Sequence, residues 1–261
     1  RPPNTGATLL NNLVVQDGGH CVEIRWSPEL GGLSALAGSP RIDFNGYPRG
    51  GRPCRFVDHR PDSPLALPLT GFAGNAPRWK QMTEAAGLEM PAIATYVKCN
   101  ETQKVEAAIV GCATLGAPAL RIQVPNYDGS ESYAALWDAS IQQYRDIVEL
   151  AKQHGVKVLV ELHHRTIIAS TSAARRFLDG LDPEHLGAIH DAGNMVIEGW
   201  EHPRAAFEIL GPYLAHVHMK NAQWVPGETR ADGTVTWESS FCPIPEGIAD
   251  VRTVVRSLRQ V

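Results

Sequence analysis

The sequence predicts an α/β fold whose parallel strands close into a TIM (β/α)8 barrel, and two observations carry that expectation. Between Val158 and Lys220, three short apolar runs each end in a side chain that can hold a metal. Val158-Leu159-Val160 precedes Glu161, Gly187-Ala188-Ile189-His190 precedes Asp191, and Ala215-His216-Val217 precedes His218. Each run has the length and apolar content of a buried strand, and the segments between them carry helical patterns. Glu161, Asp191 and His218 are 30 and 27 residues apart (161 to 191, then 191 to 218), about one strand-helix-strand step. Strand and helix patterns also alternate over most of the chain, which argues for a parallel sheet. Residues ending parallel strands converge at one end of the sheet, where a barrel places its chemistry.

Taken in order, residues 6–16, with Leu9, Leu10, Leu13 and Val14 on one side, read as a helix ending near Gly18-Gly19. Cys21 to Trp26 follows as a strand, on which Glu23 and Arg25 alternate with apolar neighbours. Residues 27–76 are rich in Gly, Pro and Arg, with Gly50-Gly51, Pro61 and Pro64 as breakers, and read as a long loop insertion over the barrel mouth. Beyond it the alternation is regular. Helices are expected over Trp79–Ala86, Glu101–Leu115, Ser130–His154, Ser170–Leu178, Arg204–Leu210 and Gly247–Leu258. Strands are expected over Pro91–Tyr96, Ala119–Val124, Lys157–Leu162, Gly187–Asp191 and Ala215–Met219. Residues 221–245 hold Pro226, Gly227, Gly233, Pro243 and Pro245, so no helix fits there. With Cys21–Trp26 the strands number six, so the first and last barrel strands are expected to lie outside the chain, which begins at Arg1 without an initiator methionine. The whole is read as a single domain, residues 1–261.

Composition narrows the function. A chain of 261 residues, 43% of them hydrophobic, can bury one large α/β core. A net charge of −4, from 24 basic and 28 acidic residues, gives no reason to expect a nucleic-acid or acidic-membrane partner. Cys21, Cys54, Cys99, Cys112 and Cys242 are widely spaced, without a C-x-x-C, and read as reduced thiols of a cytoplasmic protein. No run approaches the roughly 18–20 apolar residues of a membrane span, and no signal peptide opens the chain. That leaves a small molecule as the expected partner, and a homo-oligomer stays open.

Five motifs in order carry a family resemblance: Val-Glu-Ile-Arg at 22–25, Val-Glu-Leu-His at 160–163, His-Asp-Ala-Gly-Asn-Met at 190–195 followed by Glu198-Gly199, His-Val-His-Met-Lys-Asn at 216–221, and Pro-Ile-Pro-Glu-Gly-Ile-Ala-Asp at 243–250. Together they resemble the xylose-isomerase-like TIM barrels, which include sugar and sugar-phosphate isomerases and epimerases and are related to the endonuclease IV barrel. In that family the Glu, Asp and His ending strands five, six and seven bind one divalent metal. The resemblance places those roles on Glu161, Asp191 and His218. The family's fourth ligand, a Glu ending strand eight, has no counterpart if the chain stops early, and Glu246 is a fallback only. The family's Glu-x-His matches Glu161-x-His163, and its His-x-Lys matches His218-x-Lys220. Some epimerases carry a His three residues after the strand-six Asp, where this chain has Asn194.

The chemistry of the residues points the same way. Carboxylates with one imidazole and no thiolate suit Mn2+ or Mg2+, with Zn2+ or Co2+ as alternatives. A hydroxy-carbonyl substrate chelating such an ion would lose its neighbouring proton more easily, because the ion stabilises the enediolate. Glu161 is the best candidate for the base, His163 can relay a proton, and Lys220 can neutralise an oxyanion or a phosphate. His164 and Asn194 are expected to contact substrate. Each also has a bland reading: strand-end carboxylates cap helices, His163, His164 and His190 pack or hydrogen-bond, Lys220 is solvated, and Asn194 turns a loop through a left-handed conformation. His216 is expected to point away from His218.

The reading that results is a metal-dependent isomerase or epimerase of a sugar, sugar phosphate or related hydroxy-ketone. A dehydratase or lyase on a keto-sugar, keto-inositol or keto-glycoside would use the same metal site. A third reading is an inactive barrel serving as a binding or partner subunit. A repair endonuclease fits less well, since the family's DNA enzymes use a His-rich cluster of several metals and a basic surface.

Overall fold

The computed structural model describes residues 90–261 throughout, residues 76–77, 79–81 and 84 as helical, and five short strands earlier in the chain. These are β1 (Leu9–Leu10), β2 (Val22–Ile24), β3 (Ile42–Asp43), β4 (Cys54–Asp58) and β5 (Pro68–Leu69). β1 pairs with β3 and β2 with β4 in parallel, and β5 pairs antiparallel with β4. β2 falls where the sequence predicts a strand. β1 falls inside the expected helix 6–16, because a short apolar run carries no period that separates helix from strand. Three of the five strands lie within the stretch read as a loop. Its position over a barrel mouth, and the side chains of Glu23 and Arg25, lie outside the described residues.

The chain folds as two compact units. The first, residues 1–122 with 150–156, contains β6 (Ile93–Lys98), helix α1 (Thr102–Leu115) and β7 (Ala119–Gln123), with β6 and β7 neighbours in one sheet. Ile93, Val105, Ile109, Leu120 and Ile122 are buried in it. Beside them the Cys112 thiol donates to the Ala117 carbonyl, and burial pushes its pKa up to about 12. Cys99, Cys112 and Cys242, the described cysteines, are free thiols.

The second unit, residues 123–149 with 157–261, carries most of α2 (Tyr133–His154), then β8 (Lys157–Glu161), α3 (Thr171–Leu178), β9 (Leu186–Asp191), α4 (Ala192–Ile197), α5 (Pro203–Leu210), β10 (Leu214–His218), β11 (Asn221–Thr229), β12 (Val235–Cys242) and α6 (Val251–Leu258). β9 lies between β8 and β10, and both pair with it in parallel. Every residue of β9 is buried, as expected of a central strand covered on both faces. Its outward His190 packs edge-on against Phe207 of α5, the two rings 5.0 Å apart. Phe207, Val254 of α6 and Ala192 form a small core against Leu214, Val217 and Met219.

Register fixes which residues reach the end of the sheet. Glu161 lies opposite Ile189, and Leu214 opposite Ala188, but the β9–β10 pairing then shifts so that His216 meets Ile189 and His218 meets Asp191. Ala215 is the extra residue, and without this bulge Val217 would face Asp191. Gly187 makes room for it, since a Cβ there would stand 2.5 Å from the Ala215 Cβ.

The antiparallel hairpin of β11 and β12, not foreseen from the sequence, fills most of the segment in which no helix is expected. Asp232-Gly233 makes its turn: Gly233 N donates to Arg230 O (2.9 Å), and Asp232 Oδ1 accepts from the Thr234 amide (2.9 Å) and hydroxyl (2.7 Å). Among the described residues no helix is long and apolar enough to cross a membrane.

Candidate metal centre

Three adjacent strands end together, so their last side chains meet. The Nδ1 of His218 lies 3.0 Å from Glu161 Oε1 and 3.2 Å from Asp191 Oδ2. One ligand atom from each of Glu161, Asp191 and His218 falls within 4.8 Å of the others, close enough to converge on one cation. Both carboxylates are buried, Glu161 to 5% exposure and Asp191 to 0%. Two buried carboxylates side by side are costly unless cations face them, and a hard oxygen-rich pair with one imidazole fits a divalent ion. Lys220 also faces them, its Nζ 2.8 Å from Asp191 Oδ2 and 3.9 Å from Glu161 Oε1. Burial pulls the His218 pKa down, but hydrogen bonds from its ring to Asp191 and Glu161, with their charges, outweigh it and leave the group above its ordinary value.

Asp191 has a second task. Its Oδ1 accepts from the Asn194 amide (2.9 Å) and caps α4, while Oδ2 faces the cations. Asn194 is helical and fully buried, not a left-handed turn residue. Its Nδ2 donates to Leu162 O (3.1 Å) and Glu161 Oε1 (3.4 Å), and its Oδ1 accepts from His164 Nδ1 (3.2 Å) and Lys220 Nζ (3.4 Å). This one amide therefore ties the ends of β8 and β9 to Lys220.

His163 and His164 stack with ring centroids 4.3 Å apart. His163 Nδ1 donates to the His164 carbonyl (2.8 Å), which leaves Nε2 as the ring nitrogen turned to other partners. Burial, and then the charge of His163, hold the His164 pKa below its ordinary value. The loop carrying both is braced by Glu198, whose Oε2 accepts from Arg165 N (2.7 Å). Arg165 has φ 59°, the only non-glycine with positive φ among the described residues.

His216, expected to face away, lies on the same face as His218, two residues on, with the rings edge to face at 5.3 Å. Glu246 is exposed on the turn Ile244–Glu246 and does not join the cluster. Two residues escaped sequence reasoning. Phe241 of β12 lies beside the site, its ring centre 4.7 Å from Lys220 Nζ and 6.0 Å from the His164 ring. Asn221, 2% exposed, clamps the hairpin base: its Nδ2 donates to Ile244 O (2.7 Å) and Ala249 O (3.1 Å), and its Oδ1 accepts from Ala222 N and Ala249 N (both 2.9 Å). Strand-like alternation flanking Asp232-Gly233 was the signal that could have exposed both.

The family model of the xylose isomerase-like TIM barrel matches residues 55–261. The chain belongs to that family. It is 26% identical over 187 residues to an inosose dehydratase of Bacillus velezensis, a match covering 66% of this chain and 59% of that protein, so the chain spans less than two thirds of this relative. Its fold is similar to that of the 3-keto-D-glucoside 4-epimerase of E. coli (TM-score 0.57, 16% identity, 73% of this chain and 76% of that one). A xylose isomerase-like barrel from Mycobacterium smegmatis, solved with magnesium, is also similar (TM-score 0.54, 19% identity, 71% and 68%). Of these relatives one is named as a dehydratase and one as an epimerase.

Proposed function

We propose that this chain is a divalent-metal-dependent isomerase or epimerase that moves a proton at the carbon beside the carbonyl of a sugar-like ketone. The observation that carries the reading is the convergence of Glu161, Asp191 and His218 from three adjacent strand ends. A divalent ion held by these three would polarise a hydroxy-carbonyl and acidify the neighbouring C–H. Mn2+ or Mg2+ suits the donor set best, and the magnesium in the Mycobacterium smegmatis relative supports that choice.

The chain's own residues supply the rest. Glu161 is the base, a buried carboxylate on the inner end of β8. Lys220 sets an ammonium where negative charge builds up on a substrate oxygen. His163 and His164 contact substrate hydroxyls, His163 accepting or returning a proton through Nε2, and Asn194 holds His164, Lys220 and Glu161 in position.

A second reading, favoured by the inosose dehydratase relative, is loss of the β-hydroxyl after the same deprotonation, with a histidine or Lys220 protonating the departing oxygen. Incubating the protein with Mn2+ and keto-sugars in D2O tests both. Deuterium entering at the α-carbon with product mass otherwise conserved marks an isomerase or epimerase, while loss of one water marks a dehydratase. Glu161→Gln should abolish exchange in either case. If wild type catalyses no exchange on any keto-sugar or keto-inositol while metal is bound, the reading fails.

A further inference from the structure

The hairpin carries a feature that proton transfer does not use. Cross-strand partners in an antiparallel pair share a face, as do residues two apart along a strand. The register Ala222↔Phe241, Trp224↔Ser239 and Pro226↔Trp237 therefore puts Phe241, Trp224 and Trp237 on one face, one aromatic ring at each level. All three stay open to solvent, at 51%, 38% and 59% exposure. Solvated indoles collected on one face of a small hairpin mark a binding surface more than a packing one.

Their order fixes where that surface leads. Phe241 is the inner end, against Lys220 and His164. Trp224 follows, anchored by Nε1 donating to Val196 O at the end of α4 (2.9 Å). Trp237 is outermost. Four residues of strand separate Phe241 from Trp237, roughly 13 Å, about the length of a disaccharide. The face's other positions are Ala222, Ser239 and Pro226, all uncharged, so beyond Lys220 at its inner end these positions offer nothing to hold a phosphate or an acidic chain. Flat rings in file, uncharged and continuous with the metal centre, suit a ligand with apolar C–H faces and a hydroxyl rim.

We propose that this face is a saccharide-stacking platform and that the substrate is a glycoside: a ring-form keto-sugar at the metal centre, stacked on Phe241, joined to a second ring that lies on Trp224 and Trp237. This deepens the proposed function and, in its substrate assignment, rests on it; the platform itself is testable without catalysis.

The test is calorimetry on the metal-loaded full chain with methyl β-D-glucoside against methyl β-cellobioside, methyl β-lactoside and sucrose, none of which has a free carbonyl. At least one disaccharide should bind wild type about five- to tenfold more tightly than the methyl glucoside, the gain expected from covering one sugar face with an indole. Trp237→Ala should erase that preference and Trp237→Phe should keep most of it. Phe241→Ala should weaken every probe. Mn2+ affinity, measured alongside, should not move with Trp237→Ala. Equal binding of all probes, no saturable binding of any, or a Trp237→Ala protein that keeps the preference overturns the platform. So does a Trp237→Ala effect confined to a fall in oligomer mass, which would make the face a contact between copies of the chain. Disaccharide preference without deuterium exchange on any ketone would sink the proposed reaction while leaving the platform standing.

Discussion

Replacing Gly193 by alanine should damage the metal centre from behind. Gly193 lies in α4, and a Cβ built on it would stand 2.8 Å from Lys220 Cβ, 3.2 Å from Lys220 C and 3.3 Å from Asn221 N. Carbon atoms rest about 3.5–4.0 Å apart, so the Lys220–Asn221 backbone has to retreat by roughly 0.7–1.2 Å. None of the atoms met is the free end of a flexible side chain, so the strain cannot be shed by a rotamer change. Overpacking of this kind costs about 1–3 kcal/mol, offset by the roughly 0.5–1 kcal/mol that alanine gains over glycine in a helix. The net loss of about 1–2 kcal/mol corresponds to a Tm lower by roughly 2–8 °C. His218 is two residues before Lys220, and ligand positions tolerate only about ±0.2 Å, so Mn2+ affinity should fall about tenfold or more. Thermal melts with and without Mn2+, and calorimetric titration of the ion, read both effects. A variant as stable as wild type that binds Mn2+ equally well would refute the close approach of α4 to the end of β10.

Asp191→Asn should separate folding from metal binding. Asparagine caps α4 about as well as aspartate, so the metal-free protein should fold with its Tm lowered only by the lost pairing to Lys220 and His218, whereas losing one ligand charge should weaken Mn2+ about 100-fold or more and remove the Tm increase that the ion gives wild type. Glu201→Gln should cost about 1 kcal/mol, because the Glu201 carboxylate accepts from the amides of Thr171 (2.8 Å) and Ser172 (3.2 Å) and from the Ser172 hydroxyl (2.6 Å) at the start of α3. Burial alone would raise the Glu201 pKa, but these hydrogen bonds hold it below its ordinary value of 4.5. A lowered folded pKa means that the stabilisation is complete above 4.5 and fades as the pH falls through the folded value. Denaturant melts of the two proteins should therefore differ by a constant amount near neutrality and converge in acid, and a gap that widened in acid would contradict the assignment.

Where the sequence was legible, single residues declared themselves. Val158-Leu159-Val160, set between helical patterns, reads as the strand that it is, and the helix expected from Ser170 is α3, whose start Ser170 caps by accepting from the Ala173 amide through its side chain. The meeting of Glu161, Asp191 and His218 was visible because their chain spacing suggests three neighbouring strand ends. Relations set by tertiary contacts stayed hidden. Ala215 looks like any strand residue, yet as the bulge it decides that His218 and not Val217 lies opposite Asp191. Asn194 looked like a turn former because α4 is too short to show a period, and Asp191, read as a ligand, is also its cap. Pro226 and Gly227 masked β11, so Phe241 and Asn221 went unassigned.

The charges at the centre explain how one cluster can be both stable and reactive. Glu161 and Asp191 are two buried negative charges that Asn194 alone, a neutral amide, cannot balance. Lys220 supplies one positive charge, and against the pull of burial the two carboxylates hold the His218 imidazole above its ordinary pKa, which favours a proton on its ring as the second. To act as a ligand His218 must shed that proton, so a dication would replace one positive charge by two while Lys220 stays in place. The cluster would then pass from about neutral to net positive. That surplus faces the position where a deprotonated carbonyl compound would carry its negative charge. Lys220→Met should lower kcat while leaving Mn2+ affinity unchanged or improved, because the lysine competes for Asp191 Oδ2 at 2.8 Å. If Mn2+ bound less well to Lys220→Met, the lysine would be part of the ion's scaffold and this account of the charges would be wrong.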